Sequence, residues 1–132
     1  MKLHHTGYIT GDIDGTANVF EVLGYRKCKT YDDINQKCFI CFLERESGEP
    51  LVELVKPYDD NIQMQKILKK KGVSPYHLCF EVEDVQKIYE ELSSKDGWIP
   101  IFEPIEAVAF NNRKITYFMN YEAGFIEFVN EK

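Results

Sequence analysis

The chain repeats itself, and the repeat restricts it to an assembly of two similar modules. His5-Thr6-Gly7-Tyr8-Ile9-Thr10-Gly11-Asp12 opens the first half, and His77-Leu78-Cys79-Phe80-Glu81-Val82-Glu83-Asp84 opens the second. In both, a histidine begins a strand-like run and an aspartate follows seven positions on. Each aspartate precedes a helical pattern, where a carboxylate can accept the first unpaired N–H groups. Ile13, Ala17, Phe20 and Val22-Leu23 give the first helix one apolar face; Val85, Ile88, Tyr89 and Leu92 do the same for the second. Gly24 and Gly97 follow the two helices, as glycine suits a helix C-terminus.

Three strand-like segments follow each helix, at about 25–31, 37–44 and 50–56, then at about 98–103, 107–119 and 123–129. Turn signals separate them at Asp32-Asp33, Ser47-Gly48-Glu49-Pro50, Asn111-Asn112 and Glu122-Ala123-Gly124. Each half therefore reads β-α-β-β-β, an α+β pattern. Ile62, Met64, Ile67 and Leu68 predict a short amphipathic helix between the halves, ending at Lys69-Lys70-Lys71-Gly72. The chain of 132 residues is read as one domain, with a module at 1–56, a linker at 57–72 and a module at 73–132. Neither half is large enough to bury a full core alone.

Composition excludes several function classes. Eighteen aromatics, 14% of the chain, exclude wholesale disorder. Sixteen Lys and Arg against 22 Asp and Glu leave a net charge of −6, which disfavours nucleic acid as a partner. The one basic cluster, Lys66 with Lys69, Lys70 and Lys71, reads either as a solvated helix face or as a contact for a phosphate-bearing substrate tail. The longest apolar run, Cys38 to Leu43, falls far short of the roughly 20 residues of a membrane span. Met1-Lys2-Leu3-His4-His5 has no apolar leader, so a cytoplasmic protein is expected, with reduced cysteines. Cys38 and Cys41 are spaced as a redox or zinc pair, but they fall in a strand, where an odd spacing turns side chains to opposite faces.

Four polar residues stand out. Glu53 sits within Leu51-Val52-Glu53-Leu54-Val55 and Glu127 within Phe125-Ile126-Glu127-Phe128-Val129, each a lone carboxylate in an apolar strand. The His5-to-Glu53 and His77-to-Glu127 separations are 48 and 50 residues. An ionised carboxylate in such a strand is costly unless paired or bound to metal. A pseudo-twofold pairing of the modules would bring the four together as an N2O2 set, suited to zinc, nickel, cobalt or ferrous iron.

These stretches, together with Asp84 and the Pro50 and Gly124 that open the two glutamate strands, make the chain resemble the vicinal oxygen chelate superfamily, the group of glyoxalases and methylmalonyl-CoA epimerases, from Leu3 to Val129. The resemblance implies two βαβββ modules forming an open, curled eight-stranded sheet. It implies His5, Glu53, His77 and Glu127 as ligands of one divalent ion: nickel, cobalt or zinc, with iron as a further candidate. Two further coordination positions then suit neighbouring oxygens of a substrate, and a proton beside a chelated carbonyl becomes removable. Glu127 or Glu53 would act as the base.

The implied activity is a glyoxalase-type isomerase or lyase, lactoylglutathione lyase-like, with glutathione or another thiol as carrier. The alternative is a methylmalonyl-CoA-type acyl-CoA epimerase, and the non-enzyme alternative is a small-molecule-binding or resistance module. Bacterial glyoxalases usually hold glutathione with an Arg and an Asn near the positions of Ile9 and Pro57, and epimerases carry an acid where Asn35 stands. Extradiol dioxygenases use two His and one Glu, and Glu53 at the fourth position argues against them. Arg113 and Asn112, in a turn-like segment, are the substrate-binding candidates, the guanidinium suiting a carboxylate or phosphate. Either Tyr117 or Phe118 faces the pocket. The expected partners are a thiol adduct or acyl thioester and a second copy of the chain, with no nucleic acid and no membrane.

Overall fold

A computed structural model describes residues 1–132. Contacts divide the chain into two compact units, His5–Tyr76 and His77–Lys132, the latter joined by Met1–His4. The first unit holds strand β1 (Lys2–Ile9, from His5 on), helix α1 (Ile13–Val22), β2 (Arg26–Asp33), β3 (Cys38–Glu44), β4 (Leu51–Pro57) and α2 (Ile62–Lys71). Its strands lie in the order β2-β3-β4-β1. β1 runs parallel to β4, with Gly7 opposite Glu53, and β3 runs antiparallel to both β2 and β4. The second unit holds most of β5 (Ser74–Val82), then α3 (Val85–Ser93), β6 (Trp98–Ala107), β7 (Arg113–Asn120) and β8 (Gly124–Asn130), in the order β5-β8-β7-β6. β5 is parallel to β8. Both units are thus βαβββ, as the repeat requires.

Local chemistry starts each helix where the sequence places it. Asp12 Oδ1 accepts from Gly15 N at 3.0 Å, and Asp84 Oδ1 accepts from Gln86 N at 2.9 Å and Lys87 N at 3.2 Å. After each helix the chain turns through a glycine of positive φ, 91° at Gly24 and 86° at Gly97. Side chains then alternate across each sheet. In the first unit Ile13 and Ala17 of α1 cover Cys41, Leu43, Val52 and Leu54; in the second, Val85 of α3 covers Phe118, Ile126 and Phe128. Fully burying side chains of this size stabilises by roughly 1.5–3 kcal/mol each. The opposite face of each sheet is left for its histidine and glutamate.

Two local expectations are corrected. Residues 107–119 do not form one strand: β6 runs to Ala107, a 3-10 turn covers Val108–Phe110, and β7 starts at Arg113. Asn111 and Asn112 turn the chain there with φ of 55° and 64°, a conformation that asparagine tolerates better than most residues. The Asp32-Asp33 turn also moves. β2 runs through Asp33, whose carboxylate caps the following turn by accepting from Gln36 N at 3.1 Å and Gln36 Nε2 at 2.7 Å. The linker helix α2 forms as expected but fully buries no residue; Ile62 is 66% exposed. It is fastened by polar contacts instead, with Asn61 capping Met64 N and Gln65 Nε2 donating to Pro57 O and Tyr58 O.

Candidate functional site

Each unit carries one buried His–Glu pair. On the first, His5 projects from β1 and Glu53 from the adjacent β4, both on the sheet face away from α1. Their Nε2 and Oε1 atoms are 3.4 Å apart. On the second, His77 projects from β5 and Glu127 from β8, again with Nε2 and Oε1 3.4 Å apart. All four residues are at most 4% exposed.

The separation is informative. Charge-assisted hydrogen bonds close to about 2.7–2.9 Å, so neither pair is a tight ion pair. Two ligand atoms each about 2.1 Å from one tetrahedral or octahedral cation stand roughly 3.0–3.4 Å apart. Within each pair, the spacing, the burial and the chemistry of imidazole nitrogen with carboxylate oxygen fit two ligands of a divalent transition metal.

An aromatic ring stands edge-on to each histidine. Phe42 of β3, opposite Glu53, meets His5 at 5.5 Å between ring centres. Tyr117 of β7, opposite Glu127, meets His77 at 5.1 Å. The modules thus match in shape and differ in one hydroxyl. Tyr117 Oη lies 2.9 Å from Nε2 and 3.0 Å from Nδ1 of His77. Phe118, its neighbour, is fully buried on the α3 side. The alternation in the sequence showed that one of the two faces the site, and the pairing with β8 settles that it is Tyr117. Cys79, also opposite Glu127, shares this face and is fully buried. No cysteine forms a disulfide, and burial pushes the Cys41 thiol pKa up.

If the pairs hold a metal in a working enzyme, Tyr117→Phe is expected to keep that metal and to lower turnover about fivefold, the value of one hydrogen bond near 1 kcal/mol. Metal content and rate measured on the same preparation check this.

Arg113 is held at the edge of the second unit. Its Nε donates to Phe110 O at 3.2 Å and its Nη1 to Asn130 O at 2.9 Å. Glu81 Oε2 lies 3.8 Å from Nη1, and the guanidinium covers the Phe110 ring. Asn112 is exposed, and its N–H donates to Ala107 O at 3.0 Å. The structure therefore gives Arg113 a clear task in tying the turn before β7 to the end of β8.

The paired βαβββ modules and their buried His–Glu sets define a glyoxalase-like α+β protein. The chain belongs to the glyoxalase/bleomycin resistance protein/dioxygenase superfamily, whose family profile matches residues 4–117. Among solved structures it is similar to methylmalonyl-CoA epimerase from Mycobacterium tuberculosis, with a TM-score of 0.85 at 21% identity, covering 99% of this chain and 88% of that one. It is similar to a Streptomyces coelicolor methylmalonyl-CoA epimerase variant in complex with 2-nitronate-propionyl-CoA, at 0.83 and 18%, covering 99% and 94%. A hypothetical protein from Bacillus halodurans matches at 0.82 and 21%, covering 99% and 94%. At these identities the likeness establishes the fold. No curated protein matches the chain. No helix is long and apolar enough to cross a membrane.

Proposed function

We propose that His5, Glu53, His77 and Glu127 together hold one divalent cation, nickel, cobalt or zinc with iron as a further candidate, and that the protein is a metal-dependent enzyme removing a proton beside a substrate carbonyl. The observation that carries this reading is the repetition of one buried His–Glu pair in each module of a chain from this superfamily. Four buried ionisable groups without a cation would be a heavy burden on folding. Two carboxylates balance a divalent charge.

The cation supplies Lewis-acid stabilisation of the negative charge that develops on the substrate. The protein residues do the rest. Glu127 takes the proton, with Glu53 as the second carboxylate able to return it. Tyr117 offers a hydroxyl beside His77. Phe42 and Phe102, which packs on Tyr117 at 5.7 Å, help keep water out. Asn112, and Arg113 through the Nη2 that its bonds to Phe110 O and Asn130 O leave over, are retained as contacts for a substrate carboxylate or phosphate. A homodimer in the cytoplasm belongs to the same reading.

Two substrates share this chemistry: a glyoxalase-type thiol adduct, and an acyl-CoA inverted at its α-carbon. The second is favoured by the solved neighbours, which are methylmalonyl-CoA epimerases. The test is solvent deuterium exchange at the acidic carbon of each substrate, with metal content measured on the same protein. About one metal per chain and exchange on one substrate is the expected result. Metal-free protein that cannot be reloaded would overturn the reading in favour of a binding module.

A further inference from the structure

Lys27 and Lys29 both lie on β2, yet they end on opposite faces of the sheet. In a regular strand, residues 27, 29 and 31 would share one face. Lys27 Nζ reaches Asp14 Oδ1 of α1 at 2.6 Å, on the helix side. Lys29 Nζ instead stands over the Tyr31 ring, 5.2 Å from its centre. Tyr31 pairs with Ile40 of β3, whose neighbour Cys41 packs under α1. Alternation therefore puts Ile40 and Tyr31 on the face away from the helix. That is the face of His5 and Glu53, where Phe42 meets the His5 ring.

A β-bulge makes the difference. Lys27 faces Leu43 and Thr30 faces Cys41, so Cys28 and Lys29 together stand opposite the single Phe42. An extra residue of this kind re-aims a side chain, and bulges are frequent beside active sites. Phe42 in turn faces Glu53 on β4. Lys29 thus shares a row with Glu53, two strand spacings away, or about 10 Å. A lysine side chain extends about 6 Å from its Cα, which can carry the ammonium over Phe42 toward a group bound above Glu53. Edge strands such as β2 use lysines to deter pairing with other chains. That accounts for a lysine on β2, but not for a bulge that turns it onto this face. Lys29 is exposed, and its ammonium is in no ion pair, unlike that of Lys27.

We propose that Lys29 is a specificity-determining residue, the cation that receives a carboxylate carried beside the reacting carbon of the substrate. This inference rests on the proposed function and adds a residue of the first unit to that site. The Tyr31 ring holds the ammonium through its negative face while no anion is bound. Lysine is a mobile point charge and can leave the ring for a carboxylate. A substrate with a neutral group at that place gives it nothing to meet.

The test uses nickel-loaded protein and two hydroxy acids, malate and lactate, titrated by calorimetry. Both acids offer a hydroxyl and a carboxylate to a metal, and malate carries a second carboxylate. Wild type is expected to bind malate about fivefold more tightly than lactate, the size of one partly screened ion pair. The difference is expected to shrink as salt rises. Lys29→Gln is expected to bind the two acids equally, and Lys29→Arg to restore the preference. Lys27→Gln removes the neighbouring charge from the opposite face and is expected to keep the preference. Nickel content should be the same in every variant, and circular dichroism checks the fold. A malate preference that survives in Lys29→Gln overturns the proposal. So does a preference absent from wild type, or lost equally in Lys27→Gln. Failure of the proposed function shows separately, as protein that takes up no nickel, and the role of Lys29 falls with it.

Discussion

Glu127→Gln is expected to lower exchange of the substrate's acidic proton with solvent by a factor of about 10²–10⁴, the usual contribution of a positioned general base. The amide keeps an oxygen where the carboxylate oxygen stood, so much of the metal should stay bound. Strand β8 should also stay in place. Its register against β5 and β7 is set by backbone pairing, from His77 with Phe125 and Tyr117 with Glu127. Loss of exchange with retained metal therefore isolates the proton-transfer role. Exchange at the wild-type rate would reject Glu127 as the base and direct attention to Glu53, which occupies the matching place on β4.

His77→Ala is expected to reduce metal from about one per chain to less than a tenth, and to remove activity with it. The substitution deletes a buried ring from the middle of β5 but leaves the strand's parallel pairing to β8. The fold is therefore expected to persist at reduced stability. A second signature follows from linkage. A ligand held only by the native state stabilises it by about 2.7 kcal/mol when present at one hundred times its dissociation constant. Added nickel or zinc should raise the melting temperature of the wild type and leave that of the variant unchanged. One retained equivalent of metal would overturn the four-residue assignment.

Much of this architecture was legible from residue order because it depends on short-range chemistry. Asp12 and Asp84 cap helices through atoms three residues away or fewer, and Gly24 and Gly97 turn the chain locally. The His–Glu pairs were legible for another reason: a carboxylate in a run of apolar residues violates the strand's pattern, and the violation occurs twice at matching intervals. Superfamily membership then follows from the ordered set of these short motifs.

The remainder depended on which strand lies beside which. The sequence could state that Tyr117 and Phe118 point in opposite directions, but only the β7–β8 pairing places Tyr117 beside Glu127 and within 3.0 Å of His77. Arg113 read as a candidate for gripping a substrate, and the fold gives its guanidinium to two backbone carbonyls, one of them Asn130, seventeen residues on. The hairpin after β2 moved because Asp33 could extend the strand and still cap the turn with its carboxylate. Residue order thus determined the modules, their helices and the chemical identity of the buried pairs, since these follow from periodicity and from the cost of burying charge. Tertiary structure decided the neighbours of each side chain, because strand register is a long-range choice that no local pattern encodes.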